Sequence, residues 1–138
     1  TYMRLRLLSG AHAPVMPATS KNKNAFDESF TIAKNELRSA RPSIIVGSSF
    51  GGAILMKLIQ EELWLGPSIF LAQAAIKKEL RAEFSLPLWD FLPRDHRALF
   101  IHARSDTLVH YQDSVTIKIN TERRNKQTGL IHFNQPIK

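Results

Sequence analysis

Apolar and polar positions along the chain keep two rhythms that alternate. Ser43-Ile44-Ile45-Val46-Gly47-Ser48 is a short β-branched run without polar alternation, as suits a strand buried on both faces of a parallel sheet. Ala53, Leu55, Met56, Leu58, Ile59 and Leu63 follow at helical spacing and predict a helix over 50–63. Upstream, Phe26, Phe30, Ala33 and Leu37 fall on one stripe of a helix over 25–40. Asp27 and Glu28 lie at its start and Lys34, Arg38 and Arg41 at its end, as the helix dipole favours. After the Gly66-Pro67 punctuation, Ser68-Ile69-Phe70-Leu71-Ala72 reads as the next buried strand, and Ala98-Leu99-Phe100-Ile101-His102 as another. Gln112–Ile119 predicts a short helix and Gly129–Phe133 a last strand. Ala11–Pro17 reads as a strand end and loop, which Pro14 and Pro17 keep off the interior of a sheet. Residues 74–96 mix Lys77, Lys78, Glu79, Arg81 and Glu83 with Pro87, Trp89, Phe91 and Pro93; a packing loop is expected there rather than a cap over a pocket.

Strands and helices in alternation predict an α/β fold, a mainly parallel sheet with flanking helices in a three-layer sandwich. With 138 residues, the expectation is a single domain over 1–138, large enough to bury a core without staples.

The turn between the first of these strands and its helix carries the most informative chemistry. Gly47-Ser48-Ser49-Phe50-Gly51 is a G-x-S-x-G pattern, in which small neighbours let a serine occupy a strained strand-to-helix turn and project its hydroxyl above the carboxyl edge of the sheet. The pattern alone is common by chance; its placement between a strand and a helix makes Ser49 a candidate nucleophile. A second feature follows the third buried strand. In Ile101-His102-Ala103-Arg104-Ser105-Asp106-Thr107-Leu108-Val109-His110 an acid sits in a loop at a strand's carboxyl end, shortly before a helix. A lone aspartate there ordinarily forms a turn or caps a helix. Downstream of a serine elbow it is also placed to orient the imidazole of a triad.

Composition narrows the field. The chain has no cysteine, which excludes disulfides, thiolate metal sites and a cysteine nucleophile and makes a cytoplasmic setting the expectation. No apolar run approaches the ~20 residues a membrane helix needs, and the first residues lack a signal-peptide core, so no membrane partner is expected. The formal charge is +7 and the pI near 10.1. Its nineteen basic residues are scattered along the chain without stacking aromatics among them, which reads as a solvated surface and not as a nucleic-acid site. No two histidines stand at the i, i+4 spacing that, with a carboxylate, a metal site shows, and no cofactor is implied. A phosphate-binding reading of Gly47-Ser48-Ser49-Phe50-Gly51-Gly52 lacks both the spacing and the lysine of a P-loop.

With these residues in view, the chain resembles the α/β-hydrolase superfamily, in particular its small esterase-like members with little or no cap. The matching stretches are Val46-Gly47-Ser48-Ser49-Phe50-Gly51-Gly52, Trp64–Ala74, and Ile101–His110 followed by Asp113-Ser114. The resemblance covers residues from about Ala11 to Ser114 and implies Ser49 as nucleophile, Asp106 as triad acid and the backbone N–H of Phe50 as one half of an oxyanion hole. Ala103 stands where the family has glycine, and His110 where it has proline.

Both ends depart from the family. Its usual first strand ends in an H-G turn that gives the second oxyanion donor; Leu7-Leu8-Ser9-Gly10 is the only candidate, so either the chain is truncated there or Gly10 is coincidental. The family closes with a D-H or G-H after its last strand, and His132, inside an apolar run, is the only histidine at a plausible distance beyond Asp106. His110 is the second candidate for the base, and His12, His96 and His102 are expected to be structural. The reading implied is a serine hydrolase of a small ester or related acyl substrate, with Ser49 attacking, His132 exchanging the proton and Asp106 orienting it. The alternative is a silent or truncated hydrolase-like domain that binds a ligand or partner.

Overall fold

In the computed structural model, residues 10–19, 22–93 and 95–124 are described with their side chains, and 128–133 by their backbone. The chain falls into two compact units divided between Pro42 and Ser43. The first holds one helix, α1 (Ala25–Ala40), with Asp27 and Glu28 in its first turn, Arg38 in its last, and Phe26 and Phe30 buried. Arg41 ends it in a left-handed conformation just before Pro42, which cannot continue a helix. Ala11–Pro17 forms no strand. Without a regular partner spacing, its two prolines leave it irregular.

The second unit is a four-stranded parallel sheet in the order β1 (Ile45–Ser48), β2 (Ser68–Leu71), β3 (Ala98–Ala103), β4 (Thr128–Phe133). Each strand pairs in parallel with the next, so all four carboxyl ends lie along one edge. Helix α2 (Phe50–Gln60) follows β1, α3 (Lys78–Phe84) follows β2, and α4 (Tyr111–Glu122) follows β3. The register aligns Gly47, Phe70 and Phe100 across the sheet, all of them buried. Phe70 and Phe100 stack nearly parallel with centroids 4.9 Å apart. A Cβ on Gly47 would meet Leu55 of α2, and His102, two residues past Phe100, bonds Ser114 of α4, so both helices cover this face. On the opposite face Val46 is 46% exposed, and Ile69, Leu71, Leu99 and Ile101 are each partly accessible.

Three element boundaries differ from the sequence expectation, each for a local reason. Helix α2 stops at Gln60 rather than Leu63, in a Schellman turn: Leu63 N–H donates to the Leu58 carbonyl and Glu62 N–H to that of Ile59, with Glu62 at φ 57°. A glutamate holds the left-handed position that glycine usually marks, so the stop is invisible to composition. The connection after β2 is partly helical, α3, whereas a loop was expected there. Its remainder, 86–93, is irregular but anchored. Gln60 Nε2 donates to the Phe91 carbonyl at 2.6 Å, Leu92 N–H to Thr121 Oγ1 at 2.8 Å, and Asn120 Nδ2 to the Asp90 carbonyl at 3.0 Å. Finally α4 extends to Glu122, with the buried stripe Ser114, Ile117 and Thr121 continuing past Ile119.

Candidate active site

Ser49 occupies the single residue between β1 and α2, with φ 49° and ψ −115°. A side-chain-bearing residue adopts this region at a cost of order 1–3 kcal/mol, so the surrounding turn has to hold it there. It does so by backbone bonds alone. Ser49 N–H donates to the Leu71 carbonyl at 2.9 Å, and its own carbonyl accepts from Gly52 N–H at 2.9 Å and Ala74 N–H at 3.0 Å. The side chain makes no capping bond to the helix it precedes, although serine is among the best N-caps, and the residue is exposed. Ser49 is thereby exposed at the carboxyl edge of the sheet, its side chain not engaged by the helix it precedes.

The glycines of the turn divide in an unexpected way. At Gly47 a Cβ would lie 2.7 Å from the Gly51 carbonyl oxygen and 2.9 Å from the Gly52 Cα, and at Gly52 it would lie 2.6 Å from the Gln73 Cβ; at Gly51 nothing lies within 4 Å. Close approach of the backbone therefore demands glycine at 47 and 52, and the second glycine of G-x-S-x-G is not the sterically required one.

Phe50 takes the first position of α2, its backbone at the positive end of the helix dipole, where a developing anion is stabilised. Its ring meets that of Phe84, the last residue of α3, edge to face with centroids 5.8 Å apart. The short helix thus packs beside the elbow, giving the connection after β2 a place at the site.

Asp106 lies in the loop that leaves β3, at the same edge as Ser49; two strand spacings of about 4.8 Å separate β1 from β3. Its Oδ1 accepts both Leu108 N–H and Val109 N–H at 2.9 Å, which shapes the loop, while Oδ2 stands 3.5 Å from His102 Nε2. The turn-forming role and the placement at the carboxyl edge are both realised in one residue.

The histidines sort by burial. His132 is the fifth residue of β4, in register with His102 of β3. Its side chain lies outside the described residues, as do Leu7, Leu8 and Ser9, the candidates for an upstream turn; Gly10 has φ 66°. His110 is exposed at the N-cap of α4. His12, exposed, pairs with Glu36 of α1. His96 is buried, its Nε2 2.9 Å from Ser68 Oγ, and burial, aided by the neighbouring Arg97 charge, lowers its pKa from 6.5. Burial raises the pKa of Asp113, in the first turn of α4, against the opposing pull of His110 and His102.

Sequence reasoning passed over Gln73 and Ser114, both fully withdrawn from solvent. Gln73 Nε2 donates to Ser114 Oγ at 3.3 Å, and Ser114 Oγ lies 2.7 Å from His102 Nδ1. One signal was present: Ser114 shares a helical stripe with Ile117 and Thr121, and a polar group on a buried stripe needs a partner. Among the described residues no group of acids and histidines is arranged to hold a metal ion, and no helix is long and apolar enough to cross a membrane.

The parallel order, the strained serine after β1 and the acid loop after β3 define the α/β-hydrolase fold. The chain is similar to the esterase domain of a Rhodothermus marinus protein, with 13% identity and a TM-score of 0.57, over 81% of this chain and 58% of that one. It is also similar to an α/β hydrolase enzyme from a Medee basin deep-sea metagenome library, with 15% identity and a TM-score of 0.56, over 89% of this chain and 52% of that one. The chain thus spans between half and three-fifths of the length of these two structures. No family model and no curated protein matches it.

Proposed function

We propose that the chain is a serine hydrolase that cleaves a small ester or related acyl substrate through Ser49, His132 and Asp106. The observation that carries this reading is the state of Ser49: a serine held at φ 49° and ψ −115°, exposed, and with its hydroxyl not used to cap the helix behind it. Structural serines do not need such a conformation, whereas a nucleophile does, because the strain aims Oγ away from the sheet. In this mechanism Ser49 Oγ attacks the substrate carbonyl carbon as His132 takes its proton. The oxyanion is held by the backbone N–H of Phe50 and a second donor, and the alkoxide or amine leaves with the proton returned by His132. Water then enters and gives a proton to His132 as its oxygen attacks the acyl carbon; the bond to Ser49 Oγ breaks as His132 returns that proton to Ser49, and the carboxylic acid is released. Asp106 holds the imidazolium, with Oδ2 as the oxygen not already taken by two backbone bonds. The absence of cysteine supports a reducing, cytoplasmic setting; nucleic acid and membrane are not partners in this reading.

The test is turnover of a panel of short-chain aryl esters by the full chain and by Ser49→Ala. Hydrolysis lost in the variant and kept in Ser48→Ala supports the reading; equal turnover in all three proteins contradicts it. One observation favours the other reading, a ligand-binding domain without turnover: His132 falls inside strand β4 and not in a loop beyond it.

A further inference from the structure

One continuous run of hydrogen bonds links the elbow to the acid loop. It begins at the Ser49 carbonyl, which accepts Ala74 N–H at 3.0 Å. The next residue along, Ala75, donates its N–H to Gln73 Oε1 at 2.7 Å, which fixes the orientation of the Gln73 amide and turns its NH2 towards Ser114. That NH2 donates to Ser114 Oγ. At the far end, His102 Nε2 lies 2.8 Å from the Val109 carbonyl oxygen. A carbonyl can only accept, so Nε2 carries the hydrogen. Nδ1 is then free to accept, and the Ser114 hydroxyl, its oxygen already accepting from Gln73, donates to it at 2.7 Å. Val109 closes the run through its own N–H, which donates to Asp106 Oδ1.

Every bond in this run has one assigned direction. Gln73, His102 and Ser114 are 0%, 0% and 1% exposed, so water does not compete for any of these groups. The opposite tautomer would set a bare nitrogen against the Val109 carbonyl, which is costly in a site closed to solvent.

From this geometry we infer that His102 is a positioning residue: with Ser114 and Gln73 it locks the Asp106 loop to the loop behind Ser49 and so sets the separation of acid and nucleophile. The inference rests on the serine-hydrolase reading above. It adds a role to a histidine that touches no reacting atom. A loop displaced by 1 Å at such a site costs on the order of 100-fold in rate.

The test has two arms, both on the full chain. Side-chain nitrogen NMR of the wild type reads the His102 tautomer of the neutral ring directly: a protonated Nε2 and an unprotonated Nδ1 are expected, and the reverse tautomer overturns the assignment. The second arm compares the rate of fluorophosphonate labelling at Ser49 in wild type, Ser114→Ala and Ser114→Thr, each at equal folded concentration by circular dichroism. A drop of roughly 10- to 100-fold in Ser114→Ala, with recovery in Ser114→Thr, which restores the hydroxyl, is the expected result. Labelling of Ser114→Ala at the wild-type rate, with only a lower melting temperature, shows the network to be structural and overturns the inference while leaving the hydrolase reading intact. A wild type that does not label overturns both. Should Ser114→Ala fail to fold, the tautomer decides.

Discussion

The backbone of Gly52 lies so close to Gln73 that a Cβ on the glycine would stand 2.6 Å from the Gln73 Cβ. Helix α2 and the loop after β2 are therefore in direct backbone contact beside Ser49, and each substitution at this turn has a defined consequence. Gly52→Ala and Gly47→Ala are expected to destabilise the fold by about 2 kcal/mol or more, the scale of overpacking in a closed core. Gly51→Ala, with nothing within 4 Å, is expected to be neutral or slightly stabilising, since alanine favours the helix it would join. Urea midpoints of the three variants check the order; a Gly51→Ala that is the worst of them contradicts the steric assignment.

Strain at Ser49 gives a second outcome, in which stability and function move apart. Glycine adopts φ 49° and ψ −115° without the side-chain penalty, so Ser49→Gly should gain about 1 kcal/mol after its own entropy cost is subtracted. Its melting temperature should rise as ester hydrolysis disappears. A lower melting temperature would show that the turn is relaxed with serine in place.

Asp106 shapes its loop and, in the proposed mechanism, also steadies the base, and two substitutions separate these roles. Asparagine keeps an Oδ1 that can accept the Leu108 and Val109 N–H groups, so Asp106→Asn should fold with little loss and yet lose most of any turnover, because the charge that steadies an imidazolium is gone. Asp106→Ala removes the acceptor as well and should cost a further 1–2 kcal/mol, about the effect of losing a capping side chain. Turnover per folded molecule, read beside thermal melts, distinguishes these cases; full activity in Asp106→Asn would remove the residue from the mechanism.

How stability depends on pH follows from His96. Burial, then the Arg97 charge, lowers its folded pKa below the unfolded value of 6.5, so between the two values the unfolded chain binds more protons than the folded one. Its contribution is complete above pH 6.5 and is lost as pH falls from 6.5 to the folded pKa. The wild type should lose more stability than His96→Gln over that window, measured as the difference in urea midpoint between pH 7.5 and pH 5. A His96→Gln variant with the steeper loss would contradict the sign.

Much of this arrangement is legible in the sequence, because the strongest signals are local. The β-branched run ending at Ser48 and the apolar pattern from Ala53 place the elbow, and the parallel fold follows from strands and helices in alternation. What stays hidden is of two kinds. Glu62 ends α2 with no glycine to announce it, so a backbone conformation decides a boundary that composition does not show. Gln73, His102 and Ser114 come from three separate segments of the chain, and no periodicity in one segment reports a bond to another. The steric demand likewise falls on Gly52 and not on Gly51 because it depends on Gln73, 21 positions away in the chain.

Covalent labelling is the most direct measurement of the central claim, that Ser49 is an activated nucleophile. Treatment of the full chain with a fluorophosphonate, followed by mass spectrometry of the digest, is expected to place one phosphonyl group on Ser49. Ser48, Ser105 and Ser114 should remain unmodified, and Ser49→Ala should give no adduct. Modification at another serine, or none in a folded wild-type protein, would contradict it.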